Sequence, residues 1–253
     1  MPQLENLAIL LAFPVPNRDV ERQLTNTPNA TPVTLSVLRF FRFRGASTYL
    51  EALVHQINTP LFEKLLIYFY NQLTFLVPRL RQFMHRTENL SLVPRFENVK
   101  LEFFNKRAFM ALYPRGELNT HAFSINVDCR HLDWQVSSMV QIFNSINPIP
   151  STVEHLTLQY SVHNQSSEEH HEIDRIEWRK LLRPFSNVKT LHVDNVLVKE
   201  VSRSLRLDDG ELPPELFPEL QELTYSGSGD TRDAFKSFIE ARQNAGHPVT
   251  LTL

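Results

Sequence analysis

Apolar positions along the chain recur in one short form, apolar-x-x-apolar-x-apolar. It occurs at Leu4, Leu7 and Ile9; at Leu35, Leu38 and Phe40; and at Phe62, Leu65 and Ile67. It returns at Phe96, Val99 and Leu101; at Ala122, Ile125 and Val127; and at Val153, Leu156 and Leu158. Val188, Leu191 and Val193, then Leu220, Leu223 and Tyr225, complete the set. The middle residues stand at 7, 38, 65, 99, 125, 156, 191 and 223, about 31 residues apart on average. A period of 20–50 residues is the mark of a repeated supersecondary unit.

Helical spacing fills the gaps. STYLEALVHQI puts Leu50, Leu53, Val54 and Ile57 on one helix face, and HLDWQVSSMVQIF does the same with Val136, Met139, Val140 and Phe143. DTRDAFKSFIEARQNAG offers Asp230 as N-cap, Phe235, Phe238 and Ile239 as the apolar face, and Gly246 as the stop. Further helices are expected over 75–86, 174–183 and 197–206, and a last strand in PVTLTL. Polar loops are expected to protrude at 14–33, 105–120 and 161–173.

Strand and helix in alternation admit a doubly wound sheet or a one-sided layer. Buried parallel strands read as continuous apolar runs. Here His155, Thr157 and Gln159 alternate with Leu156 and Leu158, and Asn98, Lys100 and Glu102 alternate with Val99 and Leu101. FEKLLIYFY, apolar on both faces, is the exception. The pattern therefore predicts an α/β leucine-rich-repeat-like solenoid over residues 1–253. It is a horseshoe of about eight irregular repeats of roughly 31 residues, with a parallel sheet on the concave side and helices on the convex side. No regular Asn or Cys follows the strands, so an asparagine ladder is not expected.

Composition narrows the function classes. A net charge of −2 gives no general attraction to nucleic acid or to a membrane surface. A single cysteine, Cys129, excludes an internal disulfide framework and a multi-cysteine zinc site. Only 6 glycines argue against phosphate-cradling loops. With no long apolar run and no basic leader, a cytoplasmic or nuclear setting is expected.

Several stretches mimic chemical sites. SSEEHHEIDRIEW, within 163–174 and just beyond, concentrates Glu168, Glu169, His170, His171, Glu172 and Asp174 near His163, which is a metal-ligand vocabulary. It reads as a solvated loop entering a helix, and a metal-dependent enzyme built on it is the lesser alternative. RFFRFRG interleaves arginine with phenylalanine, as single-strand binders do. Alternation is expected to split that set, Phe40 facing the core and Arg39 and Phe41 the concave side. SGSGDTRDAF lacks a third fingerprint glycine and a P-loop lysine, so it reads as a turn. Cys129, near His131 and Asp133, reads as a structural thiol. Trp134 and Trp178 are expected to pack on the sheet. No nucleophile, metal or kinase motif occurs, so neither an enzyme nor a cofactor nor a bound metal is expected.

The stretches RFFRFRGASTYLEALVHQINTPLFEKLLIYFYNQLTF, HLDWQVSSMVQIFNS and VEHLTLQYSVHNQSSEEHHEIDRIEWRKLLRPFSNVKTLHVDNVLVKEVSRSLRLDDGELPPELFPELQELTYSGSGDTRDAFKSFIEARQNAGHPVTLTL resemble the middle and C-terminal region of mushroom-type fungal F-box/leucine-rich-repeat-like proteins. The likeness implies a repeat region that selects a target while an F-box docks on a ubiquitin-ligase adaptor. No F-box-like stretch stands near residue 1, and ELPPELFPELQEL carries only a hint of one. The expectation is a protein–protein interaction scaffold, the recognition region of an F-box-type adaptor without the F-box. The alternatives are a stand-alone binding protein or a degenerate copy. The recognition surface is expected on the strand residues facing away from the helices: Arg39, Phe41, Lys64, Tyr68, Lys100, Glu102, Asn126, Asp128, His155, Gln159, His192 and Asp194. Its first half is basic and aromatic and its second half more acidic. No nucleic-acid or membrane partner is expected.

Overall fold

In a computed structural model, the strands fall where the apolar triads stand. The structure describes residues 4–11, 32–86, 96–116, 121–147, 149–161, 175–206, 216–225 and 233–252. The first half carries β1 (Asn6–Leu10), β2 (Val33–Thr34), β3 (Phe40–Gly45), α1 (Ser47–Gln56), β4 (Ile57–Asn58), β5 (Lys64–Phe69) and α2 (Pro78–Arg86). Next come β6 (Phe96–Phe104), β7 (Arg107–Pro114), β8 (Phe123–Asp128), α3 (Leu132–Ile146) and β9 (His155–Ser161). The chain continues through α4 (Arg175–Leu182), β10 (Thr190–Val193), α5 (Asn195–Leu205), β11 (Glu222–Tyr225), α6 (Lys236–Asn244) and β12 (Thr250–Thr252).

Ten of the strands form one sheet in the order β1-β3-β5-β8-β7-β6-β9-β10-β11-β12, and β2 and β4 pair separately. All pairings in the large sheet are parallel except β6–β7 and β7–β8. This corrects the solenoid expectation. A horseshoe of eight like repeats sets each new parallel strand beside the last. Here the chain leaves β5, starts β6 three places away, and returns through β7, antiparallel to both its neighbours, until β8 lies parallel against β5. The molecule is an α/β protein with a ten-stranded, mostly parallel sheet and, among the described residues, six α-helices.

The cause lies in 105–120, expected to be a polar loop. RAFMALYP alternates: Ala108, Met110 and Leu112 are buried, while Arg107, Phe109 and Tyr113 are not. A tight turn at Asn105 and Lys106 then closes a hairpin with β6. Of the other expected loops, all of 161–173 but Ser161, which ends β9, and most of 14–33 lie outside the described residues, as do the 163–174 cluster and Asp230.

Helices seal one face of the sheet. Val136, Met139 and Phe143 of α3, Trp178 and Leu181 of α4, and Val198 and Val201 of α5 join Leu101, Leu158 and Leu191 of the strands in one core. α2 starts at Pro78, whose missing N–H costs nothing there. Glu51 of α1 accepts the next two amides, Arg79 N at 2.8 Å and Leu80 N at 2.9 Å. Asp194 caps α5 by accepting Val196 N at 3.3 Å. Gly246 ends α6 at φ +81°, which only glycine adopts without cost. Between α2 and α3, Gln141 accepts Phe75 N at 2.9 Å and Ser145 donates to Phe75 O, which ties the two parts of the sheet together on the helical side. Trp178 is fully buried, edge-on to Phe103 at 5.7 Å, as expected. Trp134 is not: it stands 53% exposed against His131 at the head of α3.

Candidate functional site

Side chains alternate along each strand, so residues opposite the buried ones form a second face. Helices do not seal it: β5, β9, β10 and β11 read half-buried, buried, half-buried along their lengths. Cross-strand register aligns Arg44, Tyr68, Asn126, Phe109, Glu102 and Gln159 in one row over six strands. A neighbouring row holds Arg42, Leu66, Ser124, Ala111, Lys100, Thr157 and His192.

Most of the expected recognition residues stand on this face: Lys64, Tyr68, Lys100, Glu102, Asn126, Asp128, His155, Gln159 and His192. Three do not fit. Phe41 is 0% exposed, because β3 buries Phe41 and Phe43 and turns Phe40, Arg42 and Arg44 outward. Arg39 precedes the strand and is ion-paired to Glu63 in solvent. Asp194 follows β10 and is engaged as the α5 cap. The expected set also omitted Arg42, Arg44, Arg107, Phe109, Tyr113 and His121. The alternation of Arg42, Phe43 and Arg44, and that of RAFMALYP, carry the signal for all of these except His121.

The geometry is tightest on the first half. The Arg44 guanidinium carbon lies 5.0 Å from the Tyr68 ring centroid and 5.4 Å from that of Tyr70, within cation–π range. Tyr70 is fixed by donating its hydroxyl to Leu11 O. Tyr68 donates its hydroxyl to Asp128 Oδ1 at 2.5 Å, across the β5–β8 pairing. Burial, then the Asp128 hydrogen bond and charge, raise the Tyr68 phenol above its ordinary range, so it stays a donor. Arg107 sits 4.3 Å over the Phe104 ring. His121 stands edge-on to Phe109 and Tyr113, at 6.1 Å from each. Those two flank Ala111 on β7, which is 0% exposed although it lies on this face. Burial, aided by the Lys64 charge, lowers the His121 pKa and favours a neutral ring at physiological pH.

Glu102 is committed to its own neighbours. Lys100 Nζ is 2.8 Å away and Ser161 Oγ donates at 2.6 Å. Burial pushes its carboxyl up, but those hydrogen bonds and the charges of Lys100 and Arg107 outweigh burial and hold it below the usual carboxylate range. By contrast, Arg42, Arg44, Lys64 and Arg107 form no ion pair among the described residues.

Two arrangements could carry chemistry. Glu97, Glu154 and His155 bring ligand atoms within 4.8 Å of one another and are the one such group among the described residues. They could hold a divalent ion, but their charge is already spent: Arg115 lies 3.7 Å from Glu97, and Lys189 is 2.8 Å from Glu154. His155 Nδ1 is 2.5 Å from Thr190 Oγ1. Cys129 is buried, and desolvation pushes its thiol up to about 11, which leaves it protonated and unreactive. Among the described residues, no helix is long and apolar enough to cross a membrane. No protein-family profile, curated protein or solved structure matches the chain.

Proposed function

We propose that this protein works by binding another protein across the uncovered face of its large sheet, and that it is not an enzyme. One observation carries the reading: Arg42, Arg44, Lys64 and Arg107 share that face with Tyr68 and Phe109 and form no ion pair among the described residues, Asp128 opposite Arg107 being engaged by the Tyr68 hydroxyl. Arginine and tyrosine held rigidly at a surface are the residue types that dominate the energy of protein interfaces. The ten strands provide a rigid platform, and the described helices pack on its other side. The resemblance to F-box proteins supports target recognition as the setting.

The test is capture of partners from a fungal lysate followed by amine cross-linking and mass spectrometry. Lys64 and Lys100 stand on the uncovered face, whereas Lys180, Lys199 and Lys236 stand on helices. Cross-links concentrated at the first pair support the reading, and cross-links confined to the helical lysines overturn it. Recovery of a ubiquitin-ligase adaptor among the captured proteins supports the F-box setting. Specific partners without the adaptor leave a stand-alone binding protein.

A further inference from the structure

We infer that the partner docks through a short acidic segment of polypeptide with an aromatic residue near its middle, laid across β3, β5, β8 and β7. The inference rests on the protein-binding reading above and adds the chemistry of the ligand. From Arg44 to Arg107 is three strand spacings and one two-residue step, about 16 Å. An extended segment of about five residues covers that length. Carboxylates at its ends meet Arg44 and Arg107, with Arg42 one same-face step from the first and Lys64 farther along, opposite Phe40. Between them lie Tyr68 and Phe109, in the same row on either side of Asn126, so that an aromatic side chain seated over Asn126 meets a ring on each flank.

Arg44 is already stacked on two rings, one tied to Asp128 and the other to Leu11 O, so little of its freedom remains to be lost on binding. The sign of the surface limits the ligand's length. Beyond Arg107 the face carries Glu102, then Glu97 and Glu154 at the rim and Glu222 on β11. The cations there, Lys100, Arg115 and Lys189, are each engaged by one of these carboxylates, so a continuous polyanion finds no run of unpaired cations to follow, whereas a short acidic segment ends at Arg107. This favours a protein ligand over nucleic acid.

The experiment is fluorescence anisotropy on the full chain with three labelled probes: an oligo-glutamate peptide with a central tyrosine pair, its glutamine counterpart, and oligo-dT of similar length. Saturable binding of the glutamate peptide that weakens with salt, with the other two much weaker, supports the inference. Arg42→Glu and Arg44→Glu should each weaken it about tenfold or more, as loss of an interfacial charge pair does. Arg42 makes no side-chain hydrogen bond or ion pair among the described residues, so its variant tests binding without disturbing the fold. Equal binding of the glutamine peptide, equal binding of oligo-dT, or indifference to Arg42→Glu overturns the inference. If the glutamate peptide fails but captured proteins still cross-link at Lys64 and Lys100, only this inference falls. If those cross-links fail too, the protein-binding reading falls with it.

Discussion

Replacing Phe41 and Phe40 by alanine, one at a time, tests the phase of β3 on which the whole surface depends. Phe41 is 0% exposed within the core, whereas Phe40 is half-buried on the uncovered face. A buried phenylalanine removes roughly 150 Å² or more from water, worth about 4 kcal/mol at 25 cal/mol per Å². The cavity it leaves keeps the cost at about 3–5 kcal/mol. Phe40→Ala leaves no sealed cavity and gives up part of that transfer energy, about 1–2 kcal/mol. Urea unfolding followed by circular dichroism measures both, with the slope held common so that midpoints compare directly. A domain of ordinary stability, roughly 5–15 kcal/mol, survives either change. A loss for Phe40→Ala equal to or larger than that for Phe41→Ala would refute the reasoning. It would also turn Arg42 and Arg44 inward, because they share Phe40's parity along the strand, and the cationic surface would cease to exist.

Gly45→Ala should lower the melting temperature by the equivalent of about 1–2 kcal/mol, as overpacking does. A Cβ at that position meets Leu11 Cδ1 at 2.8 Å and Phe43 Cζ at 2.9 Å, and an unchanged melting temperature would mean that both give way freely. Cys129 should resist a thiol reagent near pH 8 in the folded protein and react fully in denaturant, since its thiol is pushed up to about 11; fast labelling of the native chain would contradict its burial. Glu102 should contribute pH-dependent stability. Its folded pKa is depressed, so the contribution is present above the ordinary carboxylate pKa and is lost as pH falls through the lower folded value. The stability difference between wild type and Glu102→Gln should therefore shrink as pH falls below the ordinary carboxylate range, and a difference that stays constant would dismiss the ion pair as its source.

Much of the core was legible because burial imposes its period on the letters. The triads at Leu65, Leu156, Leu191 and Leu223 face the helices and align across strands, as in Leu156 with Leu191 and Leu191 with Leu223. β3 was misphased because Leu38 fits two triads, with Phe40 or with Phe41 and Phe43, and apolar letters alone do not choose. The arginines at 42 and 44 choose, since exposed charge on one parity forces the other inward. The order of strands was not legible. Which neighbour β6 takes depends on pairing between distant segments, and nothing in FENVKLEFF says that β8 will come back to occupy the place beside β5. Among site residues, His121 had no periodic signal, because it reaches the face from outside a strand. The captive role of Asp194 follows from the helix start after it, a signal the expected recognition set passed over.

The pairing of β5 with β8 joins Leu65 to Phe123 across a long stretch of chain that must first build two hairpins. Hairpins close locally and quickly, on a microsecond scale, whereas joining distant segments waits on loop closure. The long-range pairings of the sheet therefore wait longer than the hairpins, and the β5–β8 seam is among them, with β6–β9, which spans a similar length of chain. Tyr68 on one side and Asp128 on the other clasp across that seam, and Arg44 rests on the Tyr68 ring. A newly made chain thus acquires its cationic surface only once the seam has closed, so a ligand that needs both sides meets finished molecules and passes over half-folded ones.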